Sequence, residues 1–266
     1  VLIDAFSKGK AIEEKNAGVG MARKISVDSC LNYLQSDSLI CFIDADAMLS
    51  KNYLSIIYNS YKKNNWIAAT VNFEHYRDFP ETVELINEYE NFLKKTSIKI
   101  AESGSPYNYV PLGSTMISTF SSYIAVGGMN RRKAAEDFYF LQELEKYSSV
   151  YNINDILVYP SSRYLDRTYL GTSSRLKKCI DGSLDIKSFY YSDIAFNILE
   201  KWITLALSSI EKDCESILKS TLKINSELKI FLIEQNIDKS WEAIRSAPSP
   251  EHFKNQFHRW FDGLKT

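Results

Sequence analysis

No apolar run in the 266 residues approaches the ~20 that cross a hydrocarbon core, so no membrane-spanning helix is expected. Peripheral contact with a membrane stays compatible with the sequence. No segment reads as a signal peptide, and the expected location is the cytoplasm, the inner face of the membrane included. An excess of one charge is lacking too. Lys and Arg number 32 against 33 Asp and Glu, a net charge of −1, so no global field favours nucleic acid or an anionic surface. Nucleic acid is therefore not an expected partner, and the clusters Arg131-Arg132-Lys133 and Arg175 to Lys178 read as solvated surface. Cysteine is sparse. Cys30, Cys41, Cys179 and Cys214 form no Cys-x-x-Cys pair, which fits buried free thiols in a reducing compartment. Internal repeats and low-complexity tracts are absent.

What is there can fill a core. Apolar residues make up 45 % and charged residues 24 %, the balance of a soluble globular chain with room for one large domain or two small ones. The 17 Tyr and 14 Phe read first as core packing and second as faces for carbohydrate.

Val1-Leu2-Ile3-Asp4 reads as the tail of a strand entering in mid-fold, so an N-terminal part of the fold is expected to lie outside this sequence. Residues 18–35 read as a helix with Ala22, Ile25, Cys30 and Leu34 on one face. Leu39-Ile40-Cys41-Phe42-Ile43 is a continuous apolar run, the pattern of a strand covered on both faces. Ser50 is expected to cap a helix to Lys63, residues 66–73 to form a strand, and Pro80 to open a helix through Leu93. Residues 103–115 read as irregular, Gly127-Gly128 as a turn, 134–147 as a helix, 156–160 as a short strand and 161–175 as a polar loop. Beyond about residue 185 only helices are expected. Ser192 caps a stripe of Ile194, Ile198, Leu199, Trp202 and Leu205. Helices follow near 214–224, 226–235 and 238–246, and Ser249-Pro250-Glu251 starts another. The change of pattern places an α/β domain at 1–180 and a helical region at 181–266.

Four local patterns carry chemistry. Asp44-Ala45-Asp46 ends the apolar run of residues 39–43, and ligands of open α/β sheets bind beyond the carboxyl ends of strands. Two carboxylates one residue apart can hold a hard divalent cation that keeps positions open for phosphate oxygens. They can equally end a strand and cap the next helix. Glu136-Asp137 opens a helix after Gly127-Gly128-Met129-Asn130, where acidic residues also simply complement the helix dipole. Gly18-Val19-Gly20-Met21-Ala22-Arg23-Lys24 combines glycines before a helix with a basic pair, suited to phosphate or to an ordinary loop-to-helix junction. Arg163 and Arg167 flank a turn and can grip a diphosphate by bidentate hydrogen bonds or lie in solvent.

The ordered set over residues 16 to about 175 resembles the core of family 2 glycosyltransferases of the GT-A type. The resemblance implies a Rossmann-like, mixed and mainly parallel sheet flanked by helices, with Asp44 and Asp46 holding Mg²⁺ or Mn²⁺ on the diphosphate of a nucleotide sugar. It assigns Gly18, Gly20, Arg23, Lys24, Asp44, Arg163 and Arg167 to the donor. Gly113, Ser114, Gly128 and Met129 fall on the acceptor side, where a glycan, a lipid-linked or a small-molecule hydroxyl would sit. The base is expected to be Asp137, because it aligns with Phe140, Leu141 and Leu144 on the apolar helix face, with Glu136 as an orienting partner. The Pro-x-Tyr-Asn opening strands of the family are missing, and so is the Gln-x-x-Arg-Trp signature of its processive members, which implies non-processive, single-sugar transfer; the resemblance itself implies inversion at the anomeric carbon. Two readings compete. A phosphatase of the haloacid dehalogenase type also ends a strand in Asp-x-Asp, but wants Thr or Val where Met48 stands. A non-catalytic nucleotide-sugar-binding protein would keep the fold without turnover. A nucleotidyltransferase would need a Gly-rich triphosphate signature, which is absent.

Overall fold

The computed structural model describes residues 2–163 and 171–264. The chain forms two compact units. One comprises Val1–Lys94 with Tyr109–Phe189, the other Lys95–Asn108 with Tyr190–Thr266. The helical unit thus begins at Tyr190 and also takes residues 95–108, which sequence pattern alone does not group with it.

The first unit is mixed α/β. In chain order it holds α1 (Val19–Asp28), β1 (Leu39–Cys41), β2 (Met48–Leu49), α2 (Tyr53–Asn64), β3 (Ala68–Phe73) and the first part of α3 (Val83–Glu102). It continues with β4 (Met116–Thr119), α4 (Phe120–Ala125), α5 (Glu136–Tyr147), β5 (Val150–Tyr159) and α6 (Thr172–Ile180). The five strands form one sheet in the order β1-β4-β3-β5-β2. The expected mainly parallel pairing is corrected here: β3 and β5 are parallel, while β1–β4, β3–β4 and β2–β5 are antiparallel. The reason is the path into β4. The chain leaves the carboxyl end of β3 and returns at that same end, so Met116 pairs with Thr70 and Ser118 with Ala68. β4 then runs back between β1 and β3. With β4 opposed to both, β1, β3 and β5 all point one way.

Alternation along the strands builds two faces. On one, Ala69, Val71 and Phe73 of β3 pack with Ile117, Ile153, Leu157 and Val158 under Tyr53 and Ile57 of α2. On the other, Phe42 meets Phe140 of α5 edge to face at 5.3 Å between ring centroids. Several elements differ from the sequence expectation. α1 stops at Asp28, the residue at the N-cap of α2 is Asn52 rather than Ser50, and α3 runs on to Glu102. No strand was expected at β4, whose Met-Ile-Ser-Thr is short and half hydroxylic, yet all four residues are buried. β5 starts six residues before the expected strand. Register shifts beside Asn72 break its alternation, and Asn72 Nδ2 fills the irregularity by donating to the Asn154 carbonyl at 3.2 Å.

The second unit is a bundle of α7 (Asp193–Leu207), α8 (Cys214–Ile224), α9 (Ser226–Glu234), α10 (Ile237–Arg245) and α11 (Pro250–Asp262). Its starts are chemically marked. Ser192, Asp213, Asn225 and Ser249 each accept a backbone N–H of their own helix, satisfying donors the helix cannot. Trp202, Trp241, Phe253 and Phe257 fill the core, and Trp241 Nε1 donates to the Lys212 carbonyl at 2.8 Å, so that indole is buried without an orphaned donor. The four cysteines are free thiols. They are half-buried rather than buried as expected. Among the described residues no helix is long and apolar enough to cross a membrane.

Candidate functional site

Because β1, β3 and β5 share a direction, the segments that follow them lie at the same end of the sheet, beyond the carboxyl ends of these strands, where open α/β sheets bind ligands. Asp44 follows β1 and Arg163 follows β5. The Ala47 N–H donates to the Asp44 carbonyl at 3.0 Å, closing a turn over Asp44-Ala45-Asp46. β2 then pairs Met48 with Tyr159, which brings the turn beside the end of β5.

One cation organises the interior of this end of the sheet. The Arg23 guanidinium on α1 forms ion pairs with Asp44 through Nη2 and with Glu136 through Nη1. Its side chain is 10 % exposed and that of Glu136 is 7 %, against 43 % for Asp44. The second Asp44 oxygen accepts Ser114 Oγ at 2.7 Å. Gly113 lies so close that a Cβ there would stand 2.2 Å from Arg23 Nη2. α1 itself approaches the loop before α5 closely. A Cβ on Gly20 would meet the Asn130 and Arg132 carbonyls at 2.6 Å, and one on Gly18 the Lys133 Cα at 2.7 Å. Asn130 Nδ2 donates to the Glu136 carbonyl at 2.8 Å, holding the start of α5 against that loop.

These placements revise several assignments. Gly18 and Gly20 allow backbone to pack on backbone rather than keep space for phosphate. Lys24 pairs with Asp28 one turn on, at 3.0 Å. Arg23 serves internal carboxylates. On the acceptor side, Gly113 and Ser114 support Arg23 and Asp44, and Ser114 and Met129 are each 1 % exposed, so neither presents its side chain to a substrate. Gly128 has φ +76° and abuts the Tyr123 ring, a turn position that favours glycine. Arg167 lies outside the described residues.

Asp46, Arg163 and Asp137 remain. Asp46 is exposed, and Arg163 Nη2 pairs with its Oδ2. Asp137, half-buried in the first turn of α5, accepts the Phe138 N–H at 2.8 Å. Burial raises the proton affinity of Asp137 above the usual carboxylate range, the Phe138 N–H and Arg23 opposing it. Glu136 is raised as well, by burial first and by the adjacent Asp137 charge second, with Arg23 pulling the other way. Carboxyls perturbed by burial and by a specific charge partner make this end of the sheet a candidate functional site. The Arg23 bridge escaped sequence reading because its partners lie 21 and 113 residues away, beyond any local pattern.

Among the described residues no group of three or more His, Cys, Asp or Glu is arranged to hold a metal. A divalent cation fits here only in part. Asp46 can offer a carboxylate, while both Asp44 oxygens are already hydrogen-bonded, so phosphate oxygens and water would supply most of its shell. In comparisons with known proteins, no family model and no curated protein matches this chain.

Proposed function

We propose that this chain carries the catalytic core of a nucleotide-sugar glycosyltransferase of the GT-A type and family 2, transferring one sugar to an acceptor hydroxyl with inversion. The observation that carries the reading is the pairing of an exposed Asp46 with an internally anchored Asp44 at the carboxyl end of β1, joined through Arg23 to the acidic start of α5. Mg²⁺ or Mn²⁺ would be held by Asp46 with Asp44 behind it, and when bound would neutralise the leaving diphosphate as a Lewis acid. Asp44 cannot turn away, since Arg23 and Ser114 fix both its oxygens. Asp137 takes the proton of the acceptor hydroxyl as that oxygen attacks the anomeric carbon, and the bond to the diphosphate breaks with its electron pair on the diphosphate. The raised proton affinity of Asp137 suits a general base working nearer neutral pH. Glu136 stays with Arg23 and orients the start of α5. The partners are a nucleotide-sugar donor and a glycan, lipid-linked or small-molecule acceptor.

Calorimetry with nucleoside diphosphates of each base, with and without Mn²⁺, tests the site. Asp46→Asn is expected to weaken the Mn²⁺-dependent part of binding at least about tenfold with the fold intact. Unchanged metal-dependent affinity would place the metal elsewhere.

A further inference from the structure

We propose that His75 is a further substrate-contacting residue at the carboxyl end of the sheet, its Nε2 accepting a hydrogen bond from a hydroxyl of the sugar being transferred. That ligand class rests on the transferase reading above, while the state of the His75 ring does not. His75 lies two residues beyond β3, as Asp44 lies beyond β1 and Arg163 beyond β5. The Glu74 N–H donates to the Val158 carbonyl at 3.1 Å and the Tyr76 N–H to the Pro160 carbonyl at 2.8 Å. Residues 74–76 therefore run beside 158–160, and β2 pairs with Tyr159 on the other side. His75 is thus two strand spacings, about 10 Å, from the strand that the Asp44-Ala45-Asp46 turn enters, within the length of a diphosphate-linked sugar.

Glu90 on α3 sets the state of the ring. It accepts the His75 backbone N–H and, at 2.8 Å, meets Nδ1 with the same oxygen. The other Glu90 oxygen lies 3.8 Å from Lys94 Nζ. Burial pushes the Glu90 carboxyl up, but the His75 bonds and Lys94 outweigh it and hold the carboxyl below its ordinary range. An ionised carboxylate only accepts, so Nδ1 carries the proton, and the lone pair of the neutral ring falls on Nε2. The His75 side chain is 1 % exposed. Nε2 has no hydrogen-bond partner among the described residues, yet it is not sealed from solvent as Nε2 of His258 is. A buried ring thus keeps one atom open, and that atom is an acceptor. The surroundings select its ligand. Lys94 Nζ donates to the Phe73 carbonyl at 2.8 Å, and Arg77 is engaged by Glu74 and Asn87. Neither cation is left for an anion, so the partner that suits Nε2 is a neutral O–H, the group a sugar offers. The Phe73 ring meets the imidazole edge to face, 5.5 Å between centroids, and fixes its plane.

The test uses the whole chain, which has three histidines, and a panel of nucleotide sugars with their matching nucleoside diphosphates. Nitrogen-15 NMR reads the imidazoles. At mildly alkaline pH, His75 is expected as the Nδ1–H tautomer. Its Nε2 resonance should shift when the tightest-binding nucleotide sugar saturates the protein, and stay in place with the matching nucleoside diphosphate. His75→Asn keeps an amide N–H for Glu90 and removes the Nε2 acceptor. By calorimetry it is expected to weaken nucleotide-sugar binding about tenfold, the worth of one hydrogen bond, with nucleoside diphosphate affinity unchanged. A merely structural role would weaken both alike. Equal losses, no loss, an Nε2–H tautomer or an Nε2 resonance indifferent to the sugar overturns the contact. Where His75→Asn fails to fold, the NMR of the parent decides. If neither nucleotide sugars nor nucleoside diphosphates bind, the transferase reading fails and takes the ligand class with it. If both bind and His75 is indifferent to the sugar, the contact alone fails.

Discussion

Asp137→Asn is expected to lower turnover by roughly 10²–10⁴-fold, the usual worth of general-base catalysis, with nucleoside diphosphate affinity unchanged. Asn has nearly the same shape and cannot take a proton. Asp137 is the less buried of the two acidic residues opening α5 and has no ion pair among the described residues. Glu136 is committed to Arg23 and is 6 % exposed. Glu136→Gln should therefore act through position, with smaller losses in kcat and a larger effect on stability. Because burial raises the proton affinity of Asp137, the acid limb of the rate profile should lie above the ordinary carboxylate range. It should also vanish in Asp137→Asn. Should Asp137→Asn keep near-normal kcat while Glu136→Gln does not, the roles are reversed.

Arg23→Met is expected to destabilise the α/β unit by about 3–5 kcal/mol, the cost of leaving one partner of a buried pair uncompensated, measured by urea unfolding at pH 7. The magnitude follows from asymmetric exposure. Asp44 can rehydrate, but Glu136 cannot, its side chain being 7 % exposed. The double change Arg23→Met with Glu136→Gln removes the stranded charge and should recover a large share of the loss. The pH dependence has a definite sign. Without Arg23, the proton affinity of Glu136, already raised by burial, has no nearby cation to oppose it. A carboxyl with a raised folded-state pKa is favoured below its unfolded value and loses that advantage as pH rises through the folded value. The gap between Arg23→Met and the parent should therefore widen with rising pH and close under acid conditions. A gap that is small or independent of pH would mean that Arg23 is a surface group, contrary to its burial.

The legible parts of the fold share a cause. The run of residues 39–43 and the caps Ser192 and Ser249 are local signals, and β1, α7 and α11 stand where those signals put them. β4 gave no such signal because its burial comes from neighbours on both sides rather than from its own apolar content. The first half of β5 was masked by the register shifts beside Asn72. The parallel expectation failed because strand direction depends on where the long connection through α3 returns, which no short motif records. At the site, the chemical types were readable and the contacts were not. Asp44, Asp46, Glu136, Arg23 and Arg163 were all singled out by residue type, yet the ion pairs redistribute their duties. Arg23 and Ser114 look like ligand-facing groups in a linear motif. Folded, they spend their hydrogen bonds on Asp44.

Release of nucleoside diphosphate from nucleotide sugars, measured on the whole chain with Mn²⁺ and no added acceptor, tests the central claim most directly. The expected result is slow, Mn²⁺-dependent hydrolysis of at least one donor, lost in Asp46→Asn and strongly reduced in Asp137→Asn. No release from any nucleotide sugar, together with hydrolysis of an aryl phosphate that Asp46→Asn abolishes, would contradict it and make the Asp44-Ala45-Asp46 turn the centre of a phosphatase.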